Sequence, residues 1–177
     1  VTAASLVQSA GSGTTTLNGA VDTDGVAGVD ITAAGIALNQ GITTSGGGVV
    51  TLTAGAGGLT IAGAGDISAD GAVSLTGGGV VKISTAGDVS TTDDDVTYNS
   101  DTTLSGNVLI GTGAGAGNIS FVGKVDGTRG GNRTLGLTAG TGNVVFGAAV
   151  GSGTRVGAIT ISSAGDVSAV AVTAARS

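Results

Sequence analysis

The chain has 177 residues, 37 of them Gly, with no Pro, Cys, Met, Trp or His, a net charge of −6 and a mean hydropathy of +0.46. Without Cys there is no disulfide framework, and without Pro or a three-residue Gly period there is no collagen. At 40% hydrophobic and 10% charged it is too apolar for a disordered chain, and its acidity argues against phosphate-rich nucleic acid and anionic membrane surfaces.

All 12 acidic residues are Asp, and Lys is confined to Lys82 and Lys124, so the strong helix formers are scarce. Val, Ile and Thr, separated by Gly, Asn, Asp and Ser, predict an all-β chain of many short strands. No apolar run is long enough for a membrane-spanning helix, so membrane insertion is not expected. The chain opens on Val1 with no signal peptide in view, which reads as a fragment or a processed product.

The first 48 residues carry only faint repeats. Thr14–Thr16 is a run of hydroxyls, and Asp22-Thr23-Asp24-Gly25 is similar to the start of a calcium loop that lacks its Glu. Repetition is clearest over 49–172. LTAGAGGLTIAG (52–63) matches LTAGTGNVVFGA (137–148). Leu52 aligns with Leu75, Ile61 with Ile83 and Ile67 with Val89, while NISFVGKVDG from Asn118 aligns with NVVFGAAVGS from Asn143. AGD precedes Ile or Val at Asp66, Asp88 and Asp166.

The unit is irregular, roughly 21–25 residues, and holds three short alternating segments such as Val50–Leu52, Leu59–Ile61 and Asp66–Ser68. Alternation puts Val50, Leu52, Leu59 and Ile61 on one face. These features predict a single right-handed parallel β-helix (solenoid) over 1–177, with three short strands per coil and about seven to eight coils. At about 4.8 Å per coil the rod is roughly 35–40 Å long. One coil cannot bury its own apolar side chains, but stacked coils share a core. A β-sandwich is the competing fold, on the Asp-Gly pairs at 24–25, 70–71 and 126–127. Thr91–Asp101 and Thr128–Arg133 are expected to bulge from the shaft.

LTAGAGGLTIAGAGDIS, GNISFVGKVDGTR and LTAGTGNVVFGAAVGS resemble the repeats of filamentous-haemagglutinin-like giant bacterial adhesins and exoproteins, over most of 49–172. The resemblance implies a shaft segment of a secreted, extracellular or cell-surface protein. It carries over no functional residue.

Chemistry is sparse. With no His or Cys a catalytic triad is impossible, and no SxxK motif exists, so no catalytic residue and no enzyme activity is expected. The candidates for calcium are Asp93, Asp94 and Asp95, with Asp101 following; a solvated acidic loop is the preferred reading, and no cofactor is assigned. Asp66 and Asp88 are read as turn caps rather than as a catalytic carboxylate cluster. Ice binding would need hydroxyl pairs in every coil, which Thr14–Thr16 and Thr51/Thr53 do not supply. The sequons at Asn118 and Asn132 are read as incidental. Lys124, Arg129, Arg133 and Arg155 form one local basic group near Asp126.

The expected function is a structural shaft or filament segment that supports adhesion or surface attachment, with coils continuing covalently or by head-to-tail stacking. Self-association through the β-helix ends and a cell-surface or glycan partner go with it. The alternative is a carbohydrate-binding or polysaccharide-degrading β-helix.

Overall fold

The structure is a computed structural model, and it describes residues 1–128 and 131–173. The described chain is all strand, turn and corner, with every strand pair parallel. It winds as a right-handed parallel β-helix of about seven turns. The parallel register excludes the sandwich. Asp24-Gly25 and Asp70-Gly71 are corners, and Asp126-Gly127 lies within a strand.

Each coil crosses three faces. The first runs β1 (Thr2–Ala3), β2 (Leu6–Gln8) and β3 (Thr14–Leu17). The second runs β4 (Val21–Thr23) and β5 (Val29–Leu38), and the third β6 (Ile42–Thr44) and β7 (Val50–Ile61). The long strands β5 and β7 each cover two faces, bending between them where their mutual register shifts at Ala33/Gly35. Then follow β8 (Ile67–Ala69), β9 (Val73–Gly77) and β10 (Ile83–Thr85), and after them β11 (Val89–Thr91), β12 (Val96–Tyr98) and β13 (Thr102–Leu104). The sixth coil has β14 (Val108–Gly111), β15 (Ile119–Phe121) and β16 (Val125–Gly127). The last two have β17 (Leu135–Thr138) with β18 (Val144–Phe146), and β19 (Ile159–Ser163) with β20 (Val167–Ala169); Val150 and Val172 bridge the third face. The first face is thus an eight-rung ladder, β1-β4-β6-β8-β11-β14-β17-β19, and its rungs are numbered one to eight below.

Alternation selects what enters the lumen. Val50, Leu52, Leu59 and Ile61 are fully buried, as their spacing predicts. Columns of Val, Ile and Leu continue through Ile67, Val89, Ile110 and Leu137 on the first face and Val73, Val96, Ile119 and Val144 on the second. The lumen takes aromatic rings in one column only. Tyr98 stacks on Phe121 with centroids 4.9 Å apart, and Phe121 on Phe146 at 5.4 Å.

Register corrects the repeat in three places. Leu52 does pair with Leu75, Ile67 with Val89 and Phe121 with Phe146. Ile83, however, sits over Leu59, and Ile61 over Thr85. The unit also varies more than 21–25 residues, from 19 (Ile83 to Thr102) to 27 (Val108 to Leu135). The match between 52–63 and 137–148 is one face out of phase. Leu52 lies on the second face and Leu137 on the first, so one strand–corner pattern serves different sides of the rod.

Thr91–Asp101 is not a single bulge. Val96–Tyr98 is a rung between Val73–Leu75 and Ile119–Phe121, and the exposed residues lie in the corners on either side of it, around Asp93 (φ 65°) and at Asn99. The reason is that Val96 and Tyr98 alternate inward and fill the lumen. Val108 pairs with Leu135, which makes that coil long, and part of the bulge expected at Thr128–Arg133, residues 129 and 130, lies outside the described residues.

Tyr98 replaces the Phe found at the two following positions of its column, and its hydroxyl is buried with no hydrogen-bond partner. Thr85, the nearby hydroxyl, donates to the Gly87 carbonyl instead. Burial, reinforced by the negative charge of Asp88 and only partly opposed by the Thr85 hydroxyl beside it, pushes the phenol well above its ordinary value. A buried donor without a partner costs about 1–3 kcal/mol. Tyr98→Phe is therefore expected to raise stability by about 1 kcal/mol, read as a higher urea midpoint; a lower midpoint contradicts it.

Candidate functional site

The corners hold most of the polar chemistry, and it is spent on stacking. At the edge that leads into the first face, Asp66 Oδ1 accepts the Asp88 N–H (2.9 Å), Asp88 Oδ1 accepts the Leu109 N–H (2.7 Å) and Asn107 Oδ1 accepts the Thr134 N–H (3.1 Å). At the edge that leads into the second face, Asp95, Asn118 and Asn143 do the same for Asn118, Asn143 and Asp166, at 2.7, 2.9 and 2.9 Å. At the third edge Asp101 Oδ1 accepts the Lys124 N–H at 2.9 Å. In each case a side-chain oxygen of one coil takes a backbone donor of the next. Asp and Asn suit this because a short side chain reaches a neighbouring backbone amide across one coil spacing. The recurrent AGD before Ile or Val at 66 and 88 is the visible trace of these caps.

The calcium candidates belong to the same scheme. Asp93 Oδ1 accepts the Gly115 N–H at 2.5 Å, Asp95 caps Asn118 through both its N–H and its Nδ2, and the Asp94 carbonyl is taken by the Thr91 hydroxyl. Asp93, Asp94 and Asp95 do not converge on a common point, and among the described residues no group of three or more His, Cys, Asp or Glu is placed to hold a metal. Asp22 points outward between the buried Val21 and Thr23, so that segment is a strand rather than a calcium loop.

Asp101 also pairs with Lys82, Nζ to Oδ2 at 2.6 Å, both side chains 42% exposed. The Lys82 ammonium first, and then the Lys124 N–H, hold the Asp101 carboxyl below its ordinary value. A depressed carboxyl contributes stability that is complete above the unfolded value of about 3.9 and is lost as pH falls through the folded value. Asp101→Asn is expected to melt lower than the parent at pH 6 and to lose less on acidification, so that the two melting curves converge toward pH 2. Parallel curves across that range would show that the pairing does not act through charge.

The basic group predicted around Asp126 divides. Lys124 sits at the corner between the second and third faces, whereas Arg133 and Arg155 lie in long corners between the third and first; Arg129 falls outside the described residues. The two long corners stack, with the Gly131 N–H on the Arg155 carbonyl (3.0 Å) and the Gly157 N–H on the Arg133 carbonyl (2.6 Å). Asp126 binds neither Arg in this arrangement. Its carboxylate accepts the N–H groups of Gly153 and Thr154, at 2.9 and 3.2 Å.

A shallow groove of about 640 Å³ lies on the outer side of the first face, across rungs four to eight. Asp66 and Asp88 line one margin, Leu109 rises from the floor and is 63% exposed, and Gly136 and Thr160 continue it. All three aromatic rings face the lumen, so the groove has no sugar-stacking platform. Sequence reasoning missed the groove, because outward Ser, Thr and Gly leave no pattern distinct from ordinary solvent-facing positions. On the second face Thr51, Ser74, Thr97 and Ser120 do stack in one outward column, with Asp30 before and Val145 after it. No helix in the described residues is long and apolar enough to cross a membrane.

Comparison with protein families, with curated proteins and with solved structures finds no match to this chain.

Proposed function

We propose that the chain is a shaft segment of a secreted or cell-surface bacterial protein. It spans distance, supports adhesion or surface attachment, and performs no chemistry of its own. The observation that carries this reading is the use of the corner side chains. Asp66, Asp88, Asp95, Asn118 and Asn143 are each committed to holding one coil on the next. The resemblance of the repeats to filamentous-haemagglutinin-like exoproteins points the same way.

Coil continuation is part of the proposal, either through further chain or through a second copy. The outer described rungs carry the same apolar columns as the interior, only half covered. Leu6 and Leu17 are partly buried at one end, and Ile159 and Ile161 at the other. A further coil would bury these side chains and pair the free strand edges, which otherwise template aggregation.

Electron microscopy of the secreted full-length protein tests the reading. A rod that runs through this segment and extends past it is the expected image. A compact particle, or one closed by a capping element at either end of this segment, overturns it.

The carbohydrate-binding alternative draws its support from the groove on the first face. A glycan array probed with the folded chain decides it: reproducible hits that are lost on Leu109→Asp favour that reading, and an empty array removes it.

A further inference from the structure

Four places in the chain put an Asx residue directly before Gly: Asn18-Gly19, Asp24-Gly25, Asp70-Gly71 and Asp126-Gly127. Such pairs carry chemistry of their own. The nitrogen of the following residue can attack the side-chain carbonyl carbon, and a Gly there has no side chain to hinder the approach. What the fold does with that nitrogen separates the four sites.

At the three Asp-Gly pairs the nitrogen is spent on stacking. The Gly25 N–H donates to the Ala4 carbonyl at 2.8 Å, the Gly71 N–H to the Gly48 carbonyl at 3.0 Å and the Gly127 N–H to the Thr154 carbonyl at 3.0 Å. Each acceptor lies on a neighbouring coil, so attack requires two coils to part locally. Two of the carboxylates are held as well. Asp70 Oδ2 accepts the Gly47 N–H at 2.7 Å, and Asp126 Oδ1 accepts the N–H groups of Gly153 and Thr154.

Asn18-Gly19 is different. It lies in the exposed corner that leads from β3 to β4. Among the described residues no oxygen accepts the Gly19 N–H, and nothing lies within 4 Å of the point a Cβ would occupy there. The Asn18 carboxamide is held through its oxygen alone, which accepts Asn39 Nδ2 at 2.7 Å. That bond supports the negative charge that builds on the oxygen during attack, and it leaves Nδ2, the departing atom, unengaged. The other Asn residues are all followed by residues that bear side chains. Asn107, Asn118 and Asn143 also precede strands whose first N–H is bonded to the next coil: Val108 to Thr134 at 3.0 Å, Ile119 to Asn143 at 2.8 Å and Val144 to Asp166 at 2.9 Å.

We propose that Asn18 is a site of spontaneous modification by water, which converts it to aspartate and isoaspartate while the rod stays folded. The Gly19 nitrogen gives up its proton to hydroxide and bonds to Asn18 Cγ. The Cγ–Nδ2 bond breaks, and the nitrogen leaves as ammonia with a proton from water, closing a cyclic imide. Water then opens the imide at either carbonyl. One opening restores the ordinary backbone with an aspartate. The other routes the chain through the side-chain carbon and lengthens it by a methylene. Nothing is oxidised or reduced; an amide nitrogen is exchanged for a water oxygen. Either product takes the formal net charge from −6 to −7. The open corner has room for the added methylene. An aspartate keeps the oxygen that Asn39 binds and makes that bond charge-assisted.

The folded chain and the same chain unfolded in urea are incubated in parallel at mildly alkaline pH and mapped by mass spectrometry. Labelling with an isoaspartyl methyltransferase distinguishes the two linkages. Asn18 is expected to react in the folded chain within about threefold of its unfolded rate, whereas the Asp-Gly pairs slow at least about tenfold on folding, the factor that about 1.4 kcal/mol of added barrier produces. The aged folded chain is expected to gain an acidic band on isoelectric focusing and to keep its circular dichroism. Gly19→Ala is expected to slow the reaction in both states, because its methyl group hinders the attack. Folding that slows Asn18 as much as the Asp-Gly pairs, a folded chain that reacts first at another Asn, or loss of the fold on conversion overturns the proposal.

Discussion

Replacing Phe121 with alanine is expected to cost about 3–5 kcal/mol, among the largest losses available to a single core truncation in this chain. Phe121 is 1% exposed and lies between two other rings, 4.9 Å from Tyr98 and 5.4 Å from Phe146. The rungs on either side cannot close over the void. Their separation is set by the ladder itself, in which Val122 N–H bonds the Tyr98 carbonyl at 2.9 Å and Gly147 N–H the Phe121 carbonyl at 2.8 Å. A cavity that cannot relax retains its full cost. Chemical denaturation checks the magnitude, and hydrogen exchange checks the location: rungs five to seven are expected to lose protection before rungs two to four. Phe121→Leu, which keeps most of the volume, is expected to cost less than half as much. A Phe121→Ala loss below about 1 kcal/mol would mean that the rings do not form one packed column.

The second large effect is expected from a single methyl group on the backbone. Gly28 has φ +55°, immediately before Val29 enters the second face. A Cβ there would overlap the carbonyl oxygen and amide nitrogen of Val49 on the next coil. That Val49 carbonyl is also the acceptor for the Val29 N–H at 2.9 Å. Gly28→Ala thus combines left-handed strain of about 1–2 kcal/mol with an overpacking cost of about 1–3 kcal/mol. Relief requires coils two and three to separate. Gly19→Ala is the matched control: nothing lies within 4 Å of the point a Cβ would occupy there, and its φ is not left-handed. It is expected to be neutral or slightly stabilising. Thermal melting of the two variants side by side tests the assignment, and equal melting temperatures would refute it.

Much of the fold is legible in the residues because two rules suffice for it. Alternation places Val50, Leu52, Leu59 and Ile61 in the lumen, and Gly or Asx marks most of the corners. What the residues conceal is phase. Ile61 and Ile83 match by eye, yet Ile83 packs over Leu59, since either apolar residue of a three-residue rung satisfies the lumen equally well. Only the hydrogen-bonded register separates the two pairings. Val96–Tyr98 hides behind Asp93–Asp95 because charge in a corner says nothing about the strand that follows. The outward line on the first face is hidden for a related reason: Asp66, Asp88, Leu109, Gly136 and Thr160 are far apart in the chain and reach one line only when coils of unequal length are wound in register.

The sharing of one strand–corner pattern by different faces bears on how such a chain changes length over generations. Asp95 and Asn118 hold equivalent places, as do Val96 and Ile119. Recombination that removes 96–118 would join Asp95 directly to Ile119 and excise one complete turn, so that Ile119 stacks on Val73 and every surviving strand stays on its own face. A misaligned exchange between the LTAG segments at 52 and 137 behaves differently. It keeps apolar residues pointing inward while rotating everything downstream by one side of the triangle, which scrambles the columns of capping side chains along the outside. Inheritance by whole turns therefore conserves the exterior, and inheritance by partial turns conserves only the interior.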